Sequence, residues 1–324
     1  RIANMDETQP LPALLAKKLN DIAQQEIQKI SEHYNKENSI SSRVLTKILN
    51  LLAKLSISLA EKLKDTKLAI FEKGNKENRS ILFIHGFPYD HTMWEKQTEE
   101  LSKKYYCVSY DISGLGKSPA GNGQFTMESF VDDLFSVVEF LNLNKPVLCG
   151  LSMGGYISLR ALERDQSKFA GAILCDTKSE ADNNEGKLKR AAGIKTIKED
   201  GLEVFVNGFV PNCFGENYKR ASLSDYNEII KKCATNDSIG VIGCLLAMLG
   251  RNDTTDSLSN IKIPVLLICG SEDKLTPPYV MKSMSEKIKN SAYVIIDEAG
   301  HMPPIEAPEK FNEIVTAWLN KNNI

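Results

Sequence analysis

One serine in this chain stands where nucleophilic chemistry would need it. Pro146-Val-Leu-Cys-Gly150-Leu-Ser152-Met-Gly154-Gly155-Tyr-Ile157 reads as a buried strand that runs into G-x-S-x-G and directly into a helix. So sharp a strand-to-helix turn puts strained backbone angles on the residue at its tip. The positions two away must be tiny for strand and helix to approach, and the hydroxyl is lifted clear of the sheet. A serine hydroxyl is a weak nucleophile and needs a base beside it. There are four histidines, and His33 lies in a polar stretch far from any strand pattern. His301, in Asp297-Glu-Ala-Gly300-His301-Met-Pro303-Pro304, follows the last strand-like run and is expected at the same sheet edge as Ser152. The base in turn needs a carboxylate to fix its tautomer and stabilise the imidazolium. Asp273 follows the strand-like run Val265–Cys269 and is the first choice, with Asp176, which follows Ala170–Leu174, as the rival and Glu272 behind both. The oxyanion formed on attack needs backbone donors. These are expected to be the N–H groups of Met153, at the head of the helix after the serine, and of Phe87, in the loop after Ser80–Ile84. His85 in that loop is expected to hold the backbone rather than to react.

The elements that must position these residues alternate. Strand candidates are Leu68–Phe71, Ser80–Ile84, Tyr106–Tyr110, Pro146–Cys149, Ala170–Leu174, Val265–Cys269 and Tyr293–Ile296, with helical stretches such as Met127–Leu141, Gly155–Arg164 and Glu309–Leu319 between them. Several strands are continuously apolar, as strands covered on both faces must be. The pattern predicts an α/β fold with a mostly parallel, doubly wound sheet. Between Lys178 and Asn260 no run looks like a buried strand, and four amphipathic patterns suggest a helical lid over the carboxyl edge of the sheet. The expected division is a helical extension over 1–65, a first core part over 66–177, a lid over 178–261 and a second core part over 262–324.

The extension carries two apolar stripes, Leu11 to Ile30 and Val44 to Leu63, the second studded with Lys47, Lys54 and Lys62. These lysines argue against a membrane span. The two helices are expected to pack on the body of the protein or to form a homodimer contact, with weak attachment to a membrane surface as the alternative. The net charge of −2 leaves no basic excess for nucleic acid. Seven cysteines with no C-x-x-C pair, most in apolar runs, suggest a reducing compartment, and with no signal-peptide pattern the expected location is cytoplasmic.

His85-Gly-Phe-Pro, Asp111-Ile-Ser-Gly114-Leu-Gly116-Lys-Ser118, Gly150-Leu-Ser-Met-Gly154-Gly, Gly270-Ser-Glu-Asp273 and Gly300-His301 together resemble, in order, the motif series of the α/β-hydrolase superfamily. The resemblance runs from about Lys67 to the C-terminus. Cys149-Gly-Leu-Ser-Met-Gly-Gly, Arg251-Asn-Asp-Thr-Thr and Thr276-Pro-Pro look most like the branch of 3-oxoadipate enol-lactonases and small carboxylesterases. That branch usually has an arginine where Ser113 stands, bracing the loop near the oxyanion hole. The resemblance implies a serine hydrolase acting on a small-molecule ester, lactone or thioester without cofactor or metal. A carbon–carbon bond hydrolase, a perhydrolase and a receptor-like binding protein of the same fold are the alternatives. Lid residues Phe205, Phe209, Phe214, Met248 and Leu249 would favour an apolar acyl group, whereas Arg190, Arg220 or Arg251 would favour a diacid lactone.

Overall fold

The apolar runs become one seven-stranded sheet in the computed structural model, which describes residues 68–324. The two helices expected over residues 1–65 lie outside the described residues. In chain order the elements are β1 (Ile70–Lys73), β2 (Ser80–Ile84), α1 (Glu95–Leu101), β3 (Tyr106–Tyr110), α2 (Met127–Phe140), β4 (Val147–Leu151), α3 (Met153–Asp165) and β5 (Gly171–Cys175). A wholly helical insertion follows, with α4 (Asn184–Glu199), α5 (Leu202–Phe209), α6 (Glu216–Ala221), α7 (Leu223–Ala234) and α8 (Ser238–Leu249). The chain then returns through β6 (Val265–Gly270), α9 (Pro278–Lys287), β7 (Ser291–Ile296), the single turn α10 (Pro303–Glu306) and α11 (Pro308–Lys321).

The strand order is β1-β3-β2-β4-β5-β6-β7. Only β1 runs antiparallel to its neighbour; every other pairing is parallel. All residues of β2 to β6 are buried, because helices cover both faces, while the edge strands β1 and β7 are partly open. Pairing of Leu151 with Cys175 and of Gly270 with Ile296 ends β4 level with β5 and β6 level with β7, and Cys175 pairs with Ile268, so all four carboxyl ends lie at one edge within two residues. The loops bearing Ser152, Asp176, Asp273 and His301 all leave from that edge, the usual ligand side of such a sheet.

Some boundaries differ from the sequence reading. β1 lies two residues later than expected, since Glu72 and Lys73 pair with Val108 and Cys107. The helices α1 and α9 were not signalled. In α1 only Gln97 and Leu101 are buried, and in α9 only Met281 and Met284, so neither carries an apolar stripe. The insertion shares the core of the sheet: Val206, Val210, Cys213, Phe214, Val241, Cys244, Leu245 and Met248 belong to the same buried cluster as the strands. All seven cysteines are free and buried. No single helix among the described residues is long and apolar enough to cross a membrane.

Candidate active site

Ser152 occupies the tip between β4 and α3 with φ 53° and ψ −112°. Such a conformation costs a residue with a side chain roughly 1–3 kcal/mol and persists only where surroundings enforce it. Here Ser152 N–H donates to Cys175 O at 2.9 Å, and Ser152 O accepts from Thr177 Oγ1 at 2.8 Å and Tyr156 N–H at 3.1 Å. The end of β5 and the first turn of α3 therefore hold the strained residue. A methyl group at Gly154 would fall 2.2 Å from Ile84 O, so only glycine lets α3 approach β2. Similarly, a methyl at Gly86 would sit 3.5 Å from Ser152 Cβ, which places the loop after β2 directly against the serine.

His301 and Asp273 meet in the interior. His301 is 3% exposed and Asp273 4%, and Nδ1 of the imidazole lies 2.8 Å from Oδ2 of the carboxylate. Asp273 Oδ2 also accepts from Thr276 Oγ1 at 2.6 Å, and Oδ1 accepts the N–H groups of Leu275 at 2.8 Å and Thr276 at 3.1 Å. Burial pushes the Asp273 pKa up, but the charge and hydrogen bond of His301, then the Thr276 bonds, outweigh it and hold the group well below the usual range. With Asp273 ionised, Nδ1 is the protonated nitrogen and Nε2 keeps its lone pair for a proton.

Asp176 is close but differently placed. Its carboxyl, that of Asp273 and the imidazole of His301 offer atoms within 4.8 Å of one another. Asp176 Oδ1 accepts Gly270 N–H at 2.9 Å, while Oδ2 is buried without a hydrogen-bond partner. Burial first, and then the adjacent Asp273, push its pKa well up, which favours the neutral form of this carboxyl. Two carboxyls and an imidazole resemble a cation site in composition. The donor set does not fit one, because Asp273 already accepts from Leu275, Thr276 and His301, and burial disfavours a charge on Asp176. The second acidic cluster, Asp90, His91 and Asp111, is likewise engaged: Asp111 Oδ1 accepts His91 N–H and Nδ1 at 2.7 Å each, Oδ2 accepts Lys117 N–H at 2.8 Å, and Asp90 binds Thr92 and Lys232.

Phe87 and Met153 are both buried, Met153 directly after the serine and Phe87 directly after Gly86, which lies against it. Met153 N–H belongs to the first turn of α3, where no intrahelical carbonyl can reach it. The Phe87 ring meets Phe205 at 6.0 Å and Phe209 at 5.6 Å, both edge-on, and those two rings of α5 stack on each other. His85 spends both ring nitrogens on backbone, Nδ1 on Gly86 O and Nε2 on Ile112 N–H, each at 2.9 Å. It ties the ends of β2 and β3 together, as the sequence suggested.

The sequence left open where Arg190, Arg220 and Arg251 of the insertion lie. Asp182 takes Arg251 Nη1 at 2.9 Å, Lys178 Nζ at 3.2 Å and Arg190 Nε. Arg251 also donates to Met248 O and Glu180 O and lies 4.2 Å over the Tyr156 ring. Arg220 is exposed and bonds Asn217. Ser113 donates to the Asp133 carboxylate at 2.7 Å. Thr276 had a legible signal, since Asp-x-x-Thr in a turn invites a side-chain cap. Asp182 precedes a polar helix and had none.

Known proteins agree with this architecture. The model of the Alpha/beta hydrolase family matches residues 81–314. The 3-oxoadipate enol-lactonase 1 of Acinetobacter baylyi is 27% identical over 254 residues, covering 78% of this chain and 92% of the enzyme. A thermophilic esterase from Thermogutta terrifontis, solved with malate bound, superposes with a TM-score of 0.76 at 34% identity, covering 79% of this chain and 94% of the esterase. The enol-lactonase from Burkholderia xenovorans LB400 shares the fold, with a TM-score of 0.73 at 24% identity over 78% of this chain and 96% of its own.

Proposed function

The chain belongs to the alpha/beta hydrolase family, and from that premise we propose that it hydrolyses a small-molecule carboxylic ester, lactone or thioester through an acyl-enzyme on Ser152. The observation that carries this reading is the buried His301–Asp273 pair, 2.8 Å apart, at the sheet edge where Ser152 is held in a strained turn. Nε2 of His301 takes the Ser152 proton as Oγ attacks the acyl carbon. The N–H groups of Met153 and Phe87 receive the charge that gathers on the acyl oxygen. Nε2 then returns the proton to the departing alkoxide or thiolate. Water attacks the acyl-enzyme by the same route in reverse and frees the acid. Asp273 stays ionised throughout and stabilises the imidazolium, which its depressed pKa favours.

Support for the substrate class comes from the residues around Phe87 and in the insertion. The rings of Phe87, Phe205 and Phe209 form an apolar cluster at the donor loop, which supports an uncharged acyl group. Arg190 and Arg251 spend their charge on Asp182, which weighs against a diacid lactone. The helical insertion is read as the lid over this site, and the seven free cysteines suit a reducing compartment such as the cytoplasm.

A series of p-nitrophenyl esters from acetate to octanoate, run with Ser152→Ala, tests the reading. Wild type should turn over several members and take a covalent label from a serine-directed phosphonate, and Ser152→Ala should do neither. Asp273→Asn should lower kcat by about 10⁴-fold, the effect of losing the correct tautomer in a triad. Asp176→Asn should cost far less, since the Asp176 carboxyl bonds the Gly270 N–H, whereas Asp273 bonds the imidazole of His301. Absence of both turnover and label in wild type would refute the enzyme; a larger loss in Asp176→Asn would exchange the acids.

A further inference from the structure

Glu306 ends the single turn α10, and its half-buried carboxylate points back at the loop that carries His301. Oε1 accepts the N–H groups of Met302 at 2.9 Å and Gly300 at 3.0 Å. Oε2 accepts Gly300 N–H at 3.0 Å and Gly215 N–H at 2.8 Å. Gly300 and Met302 flank His301, and the N–H of His301 itself donates to Cys213 O at 2.8 Å. Three consecutive amides, 300 to 302, are thus fixed by one carboxylate and one carbonyl. Two of the anchors, Cys213 and Gly215, belong to the helical insertion. The contact is close as well as polar, for a methyl group on Gly300 would fall 2.4 Å from Gly215 N.

We infer that Glu306 is a positioning residue for the base: it fixes the backbone on both sides of His301 and ties that backbone to residues 213–215 of the insertion, so that the imidazole is in place only when the insertion is seated. This rests on the reading of His301 as the base for Ser152. Burial raises the Glu306 pKa although the three N–H groups favour its charged form, a cost that a surface helix end would not carry. The geometry also says what a neutral isostere must lose. In Glu306→Gln one oxygen becomes an amide donor. If Oε1 is kept, Gly215 faces the NH₂; if Oε2 is kept, Met302 does. Either the insertion or the His301 loop is released.

The effect on rate should be large relative to the change in shape, because displacing a reacting group by about 1 Å can cost on the order of 100-fold. In the full chain, Glu306→Gln should lower kcat on a p-nitrophenyl ester by about 10–100-fold while KM moves less than about threefold. The rate of Ser152 phosphonylation should fall in the same proportion, and the downfield proton resonance of His301 Nδ1–H should shift or broaden. Far-UV circular dichroism at the assay temperature establishes that the variant is folded. If it is not, Glu306→Asp, which keeps the charge but withdraws the carboxylate by one methylene, carries the same expectations. Wild-type kcat, labelling rate and imidazole resonance in a folded variant would overturn the role of Glu306. Failure of wild type to label at Ser152 would overturn the proposed function instead.

Discussion

Asp133 is a half-buried acid whose carboxylate is met by the hydroxyl of Ser113 rather than by a cation. Burial pushes its pKa from 3.8 to about 6, the Ser113 hydrogen bond pulls it back only in part, and Asp132 adds to the rise. A group with a raised acid pKa binds more protons folded than unfolded, so stability falls as pH climbs from 3.8 to about 6 and the full cost, roughly 3 kcal/mol, is borne above that window. Asp133→Asn should therefore raise Tm at pH 8 and change it little at pH 4, measured by thermal unfolding at both. Equal shifts at the two values would refute the argument. Ser113 was conspicuous in the sequence as a departure from a motif, but its partner was not, because Asp133 lies a helix away and only the fold joins them. Ser152, His301 and Asp273 were legible for the opposite reason: each is set by a short local pattern next to an apolar strand. Glu306 was invisible, since a glutamate five residues after a histidine looks like any helix-end acid until its three backbone partners are known.

At the scale of elements, the joint between β5 and α4 depends on Asp182. Its carboxylate binds Arg190 from α4, Arg251 from the return to β6 and Lys178 from the exit of β5. Burial opposes ionisation, but Arg190 and Arg251 overcome it and depress the pKa. Removing one partner of a buried pair leaves a desolvated charge and typically costs about 3–5 kcal/mol; the Arg251 side chain here is only 2% exposed. Asp182→Asn should lower Tm markedly at pH 7. Because the folded pKa is depressed, the wild-type advantage is complete above the ordinary value of 3.8 and drains away as pH falls through the lower folded value. Unfolding scans at pH 7, 5 and 3 follow it, and a gap that stays constant at pH 3 would contradict an ionic origin. The strands at this joint were readable because continuous apolar runs in a chain of this length have few other places to go. The sequence Glu95–Leu101 was not readable as a helix, since tertiary contacts rather than its own pattern hold it.

For the whole molecule, the helical insertion has no core of its own to retain when the sheet melts. Its buried residues join the strands in one cluster, and Phe214, 3% exposed, packs on Tyr218 at 5.2 Å and Tyr226 at 5.6 Å within the insertion while its neighbours Cys213 and Gly215 grip the His301 and Glu306 loop. Residues 68–324 should accordingly unfold in one transition, with tryptophan emission and circular dichroism coincident. Both tryptophans, Trp94 and Trp318, are buried against the sheet and report on it rather than on the insertion. Phe214→Ala removes a large side chain that ordinarily contributes about 3–5 kcal/mol, and a domain of this size loses roughly 2–4 °C of Tm per kcal/mol. A drop of about 10 °C seen by tryptophan emission, far from the substitution, is the expected result. If the insertion were an independent lid, Phe214→Ala would split the transition and leave the tryptophan midpoint in place. Coincident curves would mean that seating the insertion and holding His301 are parts of one folding event.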